Sequence, residues 1–210
     1  MAYKCSNTTK RCKHTYGKDW VNPCCQSHIL EILDFVTMRL DKNNIKYWLD
    51  YGTLLGAVRE GEIIKWDDDA DISILQEDKP RLVEALSGHD FFKGPREVEK
   101  RDSFNQMWYS ESNNLHIDIF AWHVDKDMLR RYRYLDDGPK STDARKGKGF
   151  PKEWVETLSK IKFGNKEYWC PADPEQFCKF RYGRAWATPM GVGEWNQVDK
   201  KKNKIFDFGD

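Results

Sequence analysis

Three aspartates occur at every second residue in one short stretch of the chain. They are Asp67, Asp69 and Asp71, and the strand-like sequence Ile72-Ser73-Ile74-Leu75 follows them. Alternate side chains of a β-strand share a face, so Asp69 and Asp71 should project together while the residues between them enter the core. Carboxylates held this close repel one another unless a cation lies between them. Oxygen ligands suit a hard ion, so the spacing predicts a Mg²⁺ or Mn²⁺ site.

A fourth carboxylate, Asp118, lies in a second predicted strand. The aliphatic residues Leu115, Ile117 and Ile119 alternate with it and occupy the opposite face. Asp118 therefore has the geometry needed to deliver a third metal ligand from a neighbouring strand, although a surface carboxylate at a strand end is the alternative. His116 shares the face of Asp118 and is a candidate to contact a metal ligand without binding the ion itself, but a single histidine is more often structural.

Two other interpretations compete for the aspartate triplet. Acidic clusters are usually solvated surface, but these aspartates adjoin Trp66 and run into a strand of alternating isoleucines. Asp67, Asp69 and Asp71 match the first three ligand positions of a calcium-binding EF-hand loop. That loop does not fit further on, because it requires glycine where the chain has Ile72 and glutamate where it has Asp78. The strand-borne metal site is the interpretation that remains.

A glycine turn precedes the aspartates. Residues 45–49 alternate as a strand that runs into Gly52 and Thr53, and a short helix is predicted from Thr53 to Glu60. The N-terminus of a helix leaves backbone N–H groups available to a phosphate. Four basic side chains are candidates to hold the phosphate as well: Arg59, Lys65, Arg181 and Arg184. The alternative for each of them is an ordinary surface charge.

Hydrophobic periodicity predicts the elements around these motifs. Ser27 is a plausible N-cap for a helix to about Asp41, and Asp78 for a helix in which Leu82, Val83 and Leu86 face inward. Further along the chain we expect strands over 104–109 and 115–122, an exposed segment over 126–148, a short helix near 154, a hairpin over 161–169 and a helix around 177–180. The fold class is α+β.

Composition restricts the partners. The chain has 210 residues, enough for one domain with a small appendage, and 35 basic against 34 acidic side chains give a net charge of +1. The chain therefore has no strong overall positive charge that would favour binding to nucleic acid. No apolar run of about 18 residues and no signal peptide is present, so we expect no membrane segment in this chain unless an anchor has been removed.

The first 26 residues are rich in cysteine and lack a hydrophobic pattern. They contain Cys5, Cys12, Cys24 and Cys25, whereas Cys170 and Cys178 lie far away and are predicted to be free, partly buried thiols. A segment without a core needs another constraint. The spacing leaves two choices open, a zinc ion on thiolates, with His14 or His28 as possible replacements, and a pair of disulfides.

Taken together, these motifs resemble the LicD and fukutin family, a branch of the nucleotidyltransferase superfold. The blocks YWLDYGTLLGAVREG and IIKWDDDADISI look like the family signature, and FP, IKFGN, CPADPEQF and YGRAWATP resemble its later blocks in order. The resemblance covers about 27–189. Two positions depart from the family pattern, Lys65 before the tryptophan and Arg184 after Tyr182-Gly183. The four N-terminal cysteines also resemble a family zinc site, which favours zinc over disulfides.

The resemblance implies a fold and an activity. The expected fold is a nucleotidyltransferase-like mixed sheet flanked by helices over 27–210, with a zinc-binding loop over 1–26. The expected activity is transfer of a phospho-alcohol, such as ribitol phosphate or phosphocholine, from a CDP-linked donor to a hydroxyl of a glycan or glycoprotein. By analogy, Asp69, Asp71 and Asp118 bind Mg²⁺ or Mn²⁺, and Asp67 is an auxiliary ligand or base. Residues expected to bind substrate are Gly52, Thr53, Arg59, Lys65 and Trp66.

Two alternatives to this activity remain open. One is a non-catalytic relative that binds a glycan or a nucleotide, and the other is nucleotide transfer to a protein or small molecule. A possible glycosylation acceptor at Asn7 would suit the Golgi lumen if the chain is trimmed from a longer protein, whereas the chain as it stands suits the cytoplasm. The sequence does not decide the compartment.

Overall fold

The computed structural model describes residues 23–89, 91–98, 104–109, 115–131 and 149–189. It is α+β, as predicted. The helices are α1 (Pro23–Lys42), α2 (Tyr51–Arg59), α3 (Lys79–Leu86) and α4 (Pro174–Tyr182), with 3₁₀ turns at Gln76–Asp78 and Lys152–Val155. The strands are β1 (Tyr47–Leu49), β2 (Asp69–Leu75), β3 (Lys93–Val98), β4 (Phe104–Trp108), β5 (His116–Asp125), β6 (Met128–Arg130), β7 (Phe150–Pro151), β8 (Leu158–Phe163) and β9 (Lys166–Pro171).

The main sheet is mixed and is centred on β2 and β5. Its strand order within the described residues is β1-β2-β5-β4-β3, and β6 and β7 extend it from the end of β5. β2 and β5 are parallel, whereas β1 pairs with β2, and β4 with β5, in antiparallel fashion. The predicted strand hairpin near the C-terminus is confirmed as β8 and β9, which form a separate two-stranded sheet. The metal-ligand candidates therefore lie on the two central strands.

Helix α1 supplies much of the core beneath the sheet. Ile29, Ile32, Leu33 and Val36 are completely buried, as the predicted apolar stripe requires. The helix begins at Pro23 rather than after Ser27, so residues 23–26 are helical and are not part of a loop. The reason is that Cys25 is only 3% exposed and lies in the same core, four residues before Ile29. The apolar stripe thus starts one turn earlier than the cap signal suggested.

The structure corrects two further predictions and adds one strand. Val83 is 42% exposed, because Leu82, Ala85 and Leu86 already fill the inward face of α3. β6 lies inside the segment that was expected to be an exposed loop, because the buried Leu129 anchors it beside β5. β3, for which no strand was predicted, pairs with β4.

The β8–β9 hairpin is attached to α1 by side-chain hydrogen bonds. The hydroxyl of Tyr168 donates to Asp34, and the indole N–H of Trp169 donates to Asp41 over 3.1 Å. The Gly164 N–H at its turn also donates to the Gly61 carbonyl over 2.7 Å. The hairpin therefore supports both α1 and the loop that leads to the aspartates. No helix in the described part of the chain combines the length and the apolar character that crossing a bilayer requires.

Candidate active site

Four polar side chains lie on one face of the two central strands. In the parallel register Asp69 is opposite His116, and Asp71 is opposite Asp118. Alternate residues share a face, so these four side chains form a square, while Ala70 and its alternating neighbours are buried on the other side. The predicted parity of the carboxylates is confirmed. One ligand atom each from Asp69, His116 and Asp118 lies within 4.8 Å of the others.

β4 supports this square from the far side of β5. Gln106 is opposite Asp118 in the antiparallel register, and its amide Nε2 donates to Asp118 Oδ1 over 2.7 Å. Trp108 is opposite His116, and the two rings stack with centroids 4.7 Å apart and planes 17° from parallel. The carboxylate and the imidazole are thus each oriented by a neighbour. Neither Gln106 nor Trp108 carried a signal in the sequence, because both contacts depend on strand register.

Helix α2 directs its N-terminus at the aspartates. It begins at Tyr51, earlier than predicted, because Asp50 is its N-cap and accepts a hydrogen bond from the Tyr51 N–H over 2.8 Å. Gly52 lies inside the first turn, and its N–H donates to Asp71 Oδ2 over 3.2 Å. The hydroxyl of Thr53 accepts a hydrogen bond from the Asp71 N–H over 2.7 Å. Gly52 and Thr53 therefore both lie against Asp71, while their predicted role in phosphate binding stays a prediction.

The aspartates closely approach Gly52, so a side chain at this position would displace one of them. A Cβ at this position would lie 2.8 Å from Asp67 Oδ2 and 3.6 Å from Asp71 Oδ2. Asp67 follows a turn that is closed by the hydrogen bond from its own N–H to the Ile64 carbonyl, at 2.8 Å. The turn returns the chain to the start of α2. Asp67 therefore joins the same cluster, although it precedes β2.

Arg181 has a role that differs from the predicted one. Its side chain is 2% exposed and makes two hydrogen bonds to the completely buried Asp50, from Nε to Oδ1 over 3.1 Å and from Nη2 to Oδ2 over 2.8 Å. Asp50 Oδ2 also accepts from the Ser73 hydroxyl over 2.7 Å, and the Trp122 indole N–H donates to Ser73 over 3.0 Å. Arg181 is thus buried as the counter-ion of the helix cap and is not the surface charge that was the alternative to phosphate binding.

Aromatic rings enclose this buried ion pair. The guanidinium carbon of Arg181 lies 4.4 to 5.5 Å from four ring centroids, those of Tyr51, Trp122, Phe150 and Phe177. The aspartate immediately before the helix start was a recognisable N-cap signal, but the strand alternation around Leu49 concealed it. Its partner could not be identified, because 131 residues separate Arg181 from Asp50.

A second buried arginine lies beside the cluster. Arg131 is 5% exposed, and its Nη1 donates to the Tyr51 hydroxyl over 3.3 Å. Its guanidinium carbon is 4.4 Å from the ring centroid of Phe120, which packs against Tyr51. Tyr51 itself has a φ of 44°, unusual for a residue other than glycine. Sequence reasoning missed Arg131 because the residue falls in the charged segment that was predicted to be exposed.

The carboxylates are protonated more readily than ordinary aspartates. Burial, with the charges of Asp69, Asp118, Asp50 and Asp67, raises the pKa of Asp71 well above its usual range. Burial and then nearby carboxylates, Asp69 foremost, raise the pKa of Asp67 to about 7. Burial raises the pKa of Asp69 to about 6, and the positive form of His116 opposes that rise. This mutual repulsion is what a bound cation would relieve, so the donor set fits a divalent metal ion.

The remaining substrate candidates differ in placement. The side chain of Arg59 is 4% exposed, and its Nη2 lies 2.6 Å from Glu60 Oε1. Its Nε and Nη1 are buried without an acceptor in the described part of the protein. Lys65 is exposed, and Trp66 is half-buried against the core, both at the turn before Asp67. Arg184 is exposed just after α4.

The cysteines fall into two groups. Cys5 and Cys12 lie outside the described residues, whereas Cys24 is in the first turn of α1 and Cys25 is buried there. The zinc loop thus remains a prediction. The other two cysteines, Cys170 and Cys178, are fully buried rather than partly buried, and neither forms a disulfide. Burial raises the thiol pKa of the first to about 11 and of the second to about 12, which makes both unreactive.

The mixed sheet, with carboxylates on two adjacent parallel strands facing a capped helix N-terminus, defines a protein of the nucleotidyltransferase type. The sequence model of one protein family, LicD/FKTN/FKRP, nucleotidyltransferase domain, matches residues 44–173. The chain belongs to this family.

The chain is also similar to individual proteins. The chain is 29% identical over 195 residues to the ribitol 5-phosphate transferase FKRP of Homo sapiens. The matched region covers 86% of this chain and 38% of that protein. It is 38% identical over 55 residues to the lipopolysaccharide cholinephosphotransferase LicD of Haemophilus influenzae, covering 26% of this chain and 21% of that protein. A solved structure from Thermotoga maritima is 15% identical, with a TM-score of 0.45 and coverage of 83% and 92%. The chain spans well under half of the length of FKRP and of LicD, two of its curated relatives.

Proposed function

We propose that this chain is a metal-dependent phosphotransferase, which moves a phospho-alcohol of the ribitol phosphate or phosphocholine type from a CDP-linked donor to a glycan hydroxyl. Membership of the family and the names of its relatives support transfer of a phospho-alcohol. The observation that carries the proposal is the pairing of Asp71 with Asp118 on parallel strands, with Asp69 on the same face. This arrangement gathers three carboxylates on one face of two adjacent strands.

Asp69, Asp71 and Asp118 would hold Mg²⁺ or Mn²⁺. Burial, and after it the charges of Asp69 and Asp118, raise the pKa of Asp71, and a bound cation would offset both effects, which supports this assignment. A bound ion would neutralise the donor diphosphate and stabilise the charge on the departing nucleotide. Gln106 keeps one oxygen of Asp118 engaged and so orients the carboxylate.

Asp67 is suited to the acceptor hydroxyl. Its pKa of about 7 lies near neutral pH, where a carboxylate can orient a hydroxyl and accept its proton as the new bond forms. It also lies against Gly52, at the start of α2, where donor phosphates are proposed to bind. The nucleophile and the phosphate would therefore meet between Asp67 and the helix.

Gly52, Thr53 and Arg59 would contact the phosphates. The N-terminus of α2 carries a positive partial charge. Arg59 supports the same role, because two of its N–H donors are buried without an acceptor in the described residues, and an anion would satisfy them. Lys65 and Trp66, on the turn before Asp67, would contact other parts of the donor or acceptor.

Labelled transfer assays test the proposal. A CDP-linked donor labelled separately in its nucleotide and alcohol halves should deliver only the alcohol phosphate to the glycan. Asp69→Asn and Asp71→Asn should each reduce kcat by at least about 100-fold, which is typical of losing a group that stabilises transition-state charge. Asp68→Asn is the matched control, because it removes an adjacent carboxylate that is not among the three residues proposed to hold the ion.

Three results would contradict the proposal. Unchanged turnover in either Asp69→Asn or Asp71→Asn would exclude the metal mechanism. Delivery of the nucleotide half to the acceptor would indicate nucleotidyl transfer, and nucleotide binding without turnover over a panel of glycans would indicate a non-catalytic relative.

We also propose a structural zinc ion on Cys5, Cys12, Cys24 and Cys25. Metal analysis should find about one zinc per chain, and Cys24→Ser should lose it. Cys170→Ser is the control, because that thiol is buried far along the chain in β9. A chain without zinc, with disulfides mapped among the N-terminal cysteines, would overturn this proposal.

A further inference from the structure

We propose that His116 is a direct ligand of the catalytic ion, so that the site is a mixed nitrogen and oxygen site that favours Mn²⁺ over Mg²⁺. The inference rests on the proposed metal-dependent function and specifies the metal that serves it. Carboxylates alone would not distinguish the two ions strongly, because both accept oxygen ligands.

The position of His116 follows from the sheet. It is directly opposite Asp69 in the parallel pair and two residues before Asp118 on its own strand, so all three side chains share one face. Their ligand atoms come within 4.8 Å of one another. Ligands of a first-row ion at bond lengths of about 2.1 Å lie roughly 3 to 4 Å apart, so a small inward adjustment would complete a shared shell.

A purely indirect role, in which His116 only donates to Asp118, fits less well. His116 Nε2 is 3.4 Å from Asp118 Oδ1, which is longer than a normal N–H···O hydrogen bond. The closer donor to that oxygen is the Gln106 amide, at 2.7 Å. The imidazole nitrogen therefore lies among the carboxylates at a distance that suits convergence on a common ion better than a bond to one of them.

The surroundings of the ring also suit a ligand. The indole of Trp108 stacks on the imidazole, which fixes the ring plane, and the side chain of His116 is only 13% exposed. A ring held in one orientation loses little freedom on binding a metal. Mg²⁺ prefers an all-oxygen, near-octahedral shell with several waters, whereas imidazole suits ions of the transition series. A nitrogen at this corner of the square therefore raises the affinity for Mn²⁺ selectively.

Spectroscopy of the Mn²⁺ complex tests the inference without relying on turnover. Electron spin-echo modulation on Mn²⁺ bound to the full chain should show coupling to a ¹⁴N nucleus in the wild type. His116→Gln should abolish the coupling and weaken Mn²⁺ binding by at least about tenfold, with a smaller change for Mg²⁺. His123→Gln is the matched control, because it removes another histidine of β5 and should leave the coupling and both affinities unchanged.

The outcomes separate this inference from the proposed function. Wild-type protein that binds Mn²⁺ through Asp69 without ¹⁴N coupling would overturn the role of His116 and leave the metal mechanism intact. Equal losses of Mn²⁺ and Mg²⁺ affinity in His116→Gln would also overturn it. Failure of the wild type to bind either ion would overturn both. Because the wild-type spectrum carries the main result, the inference stays testable even if His116→Gln does not fold.

Discussion

Replacing Arg181 with leucine should destabilise the protein strongly. Arg181 is the counter-ion of Asp50, whose side chain is 0% exposed, and the two share hydrogen bonds of 3.1 and 2.8 Å. Leucine would keep an apolar side chain among the surrounding aromatic rings but would leave the carboxylate buried without a cation. Loss of that cation, rather than loss of packing, is therefore the perturbation.

The magnitude can be worked from these contacts. Removing one partner of a buried ion pair costs about 3 to 5 kcal/mol. Asp50 would keep the Tyr51 N–H and the Ser73 hydroxyl as donors, so we expect a value near the lower end, about 3 kcal/mol. In a chain of this length, a loss of that size lowers Tm by about 6 to 12 °C. The cap of α2 should weaken at the same time, which would loosen Gly52 against Asp71.

Urea unfolding followed by tryptophan fluorescence measures the effect. Arg184→Leu is the matched control, because Arg184 is exposed three residues later and its loss should cost less than about 0.5 kcal/mol. Adding Asp50→Asn to Arg181→Leu should recover part of the stability, since no buried charge would remain. An Arg181→Leu variant as stable as Arg184→Leu would refute the reasoning. So would a double variant less stable than the single one.

Three further predictions concern the site and its surroundings. Gly52→Ala should cost about 1 to 3 kcal/mol in urea unfolding, because its methyl group would lie 2.8 Å from Asp67 Oδ2. In chelator, the stability that Asp69 and Asp67 contribute should be fully present below about pH 4, because the folded state holds their protons more tightly than the unfolded chain does. This contribution should be lost as the pH rises through their pKa values of about 6 and 7, and unfolding midpoints should show the fall. Mn²⁺ should reduce the fall. The buried thiol of Cys178, with its pKa of about 12, should react with a thiol reagent only after denaturation.

Strand parity was enough to predict the carboxylate face. Asp69 and Asp71 alternate with residues that can only enter a core, and Asp118 does the same in its own strand, so the face of each was determined locally. The prediction that the two strands are neighbours was an inference from the shared chemistry. The parallel register confirms it and places Asp71 directly opposite Asp118.

Contacts across long sequence separations escaped prediction. The partner of Asp50 lies in α4, and the partners of Asp118 and His116 lie in β4, so each depends on the topology of the whole domain. Burial of Arg181 is also contrary to the usual behaviour of arginine, which is exposed unless it is paired. Arg181 is buried because it pairs with the buried carboxylate of Asp50, and composition alone does not encode that pairing.

The aliphatic residues between the site residues determine whether the site exists at all. A slip of one residue between β2 and β5 would turn the carboxylates into the core and the isoleucines to the surface. Each buried isoleucine contributes about 1.5 to 3 kcal/mol, and four of them, Ile72, Ile74, Ile117 and Ile119, are completely buried. That burial is large enough to hold Asp69, Asp71 and Asp118 together despite their repulsion. Because the core holds the carboxylates in place before any cation binds, a metal ion that enters gains the relief of that repulsion without having to assemble its own ligands.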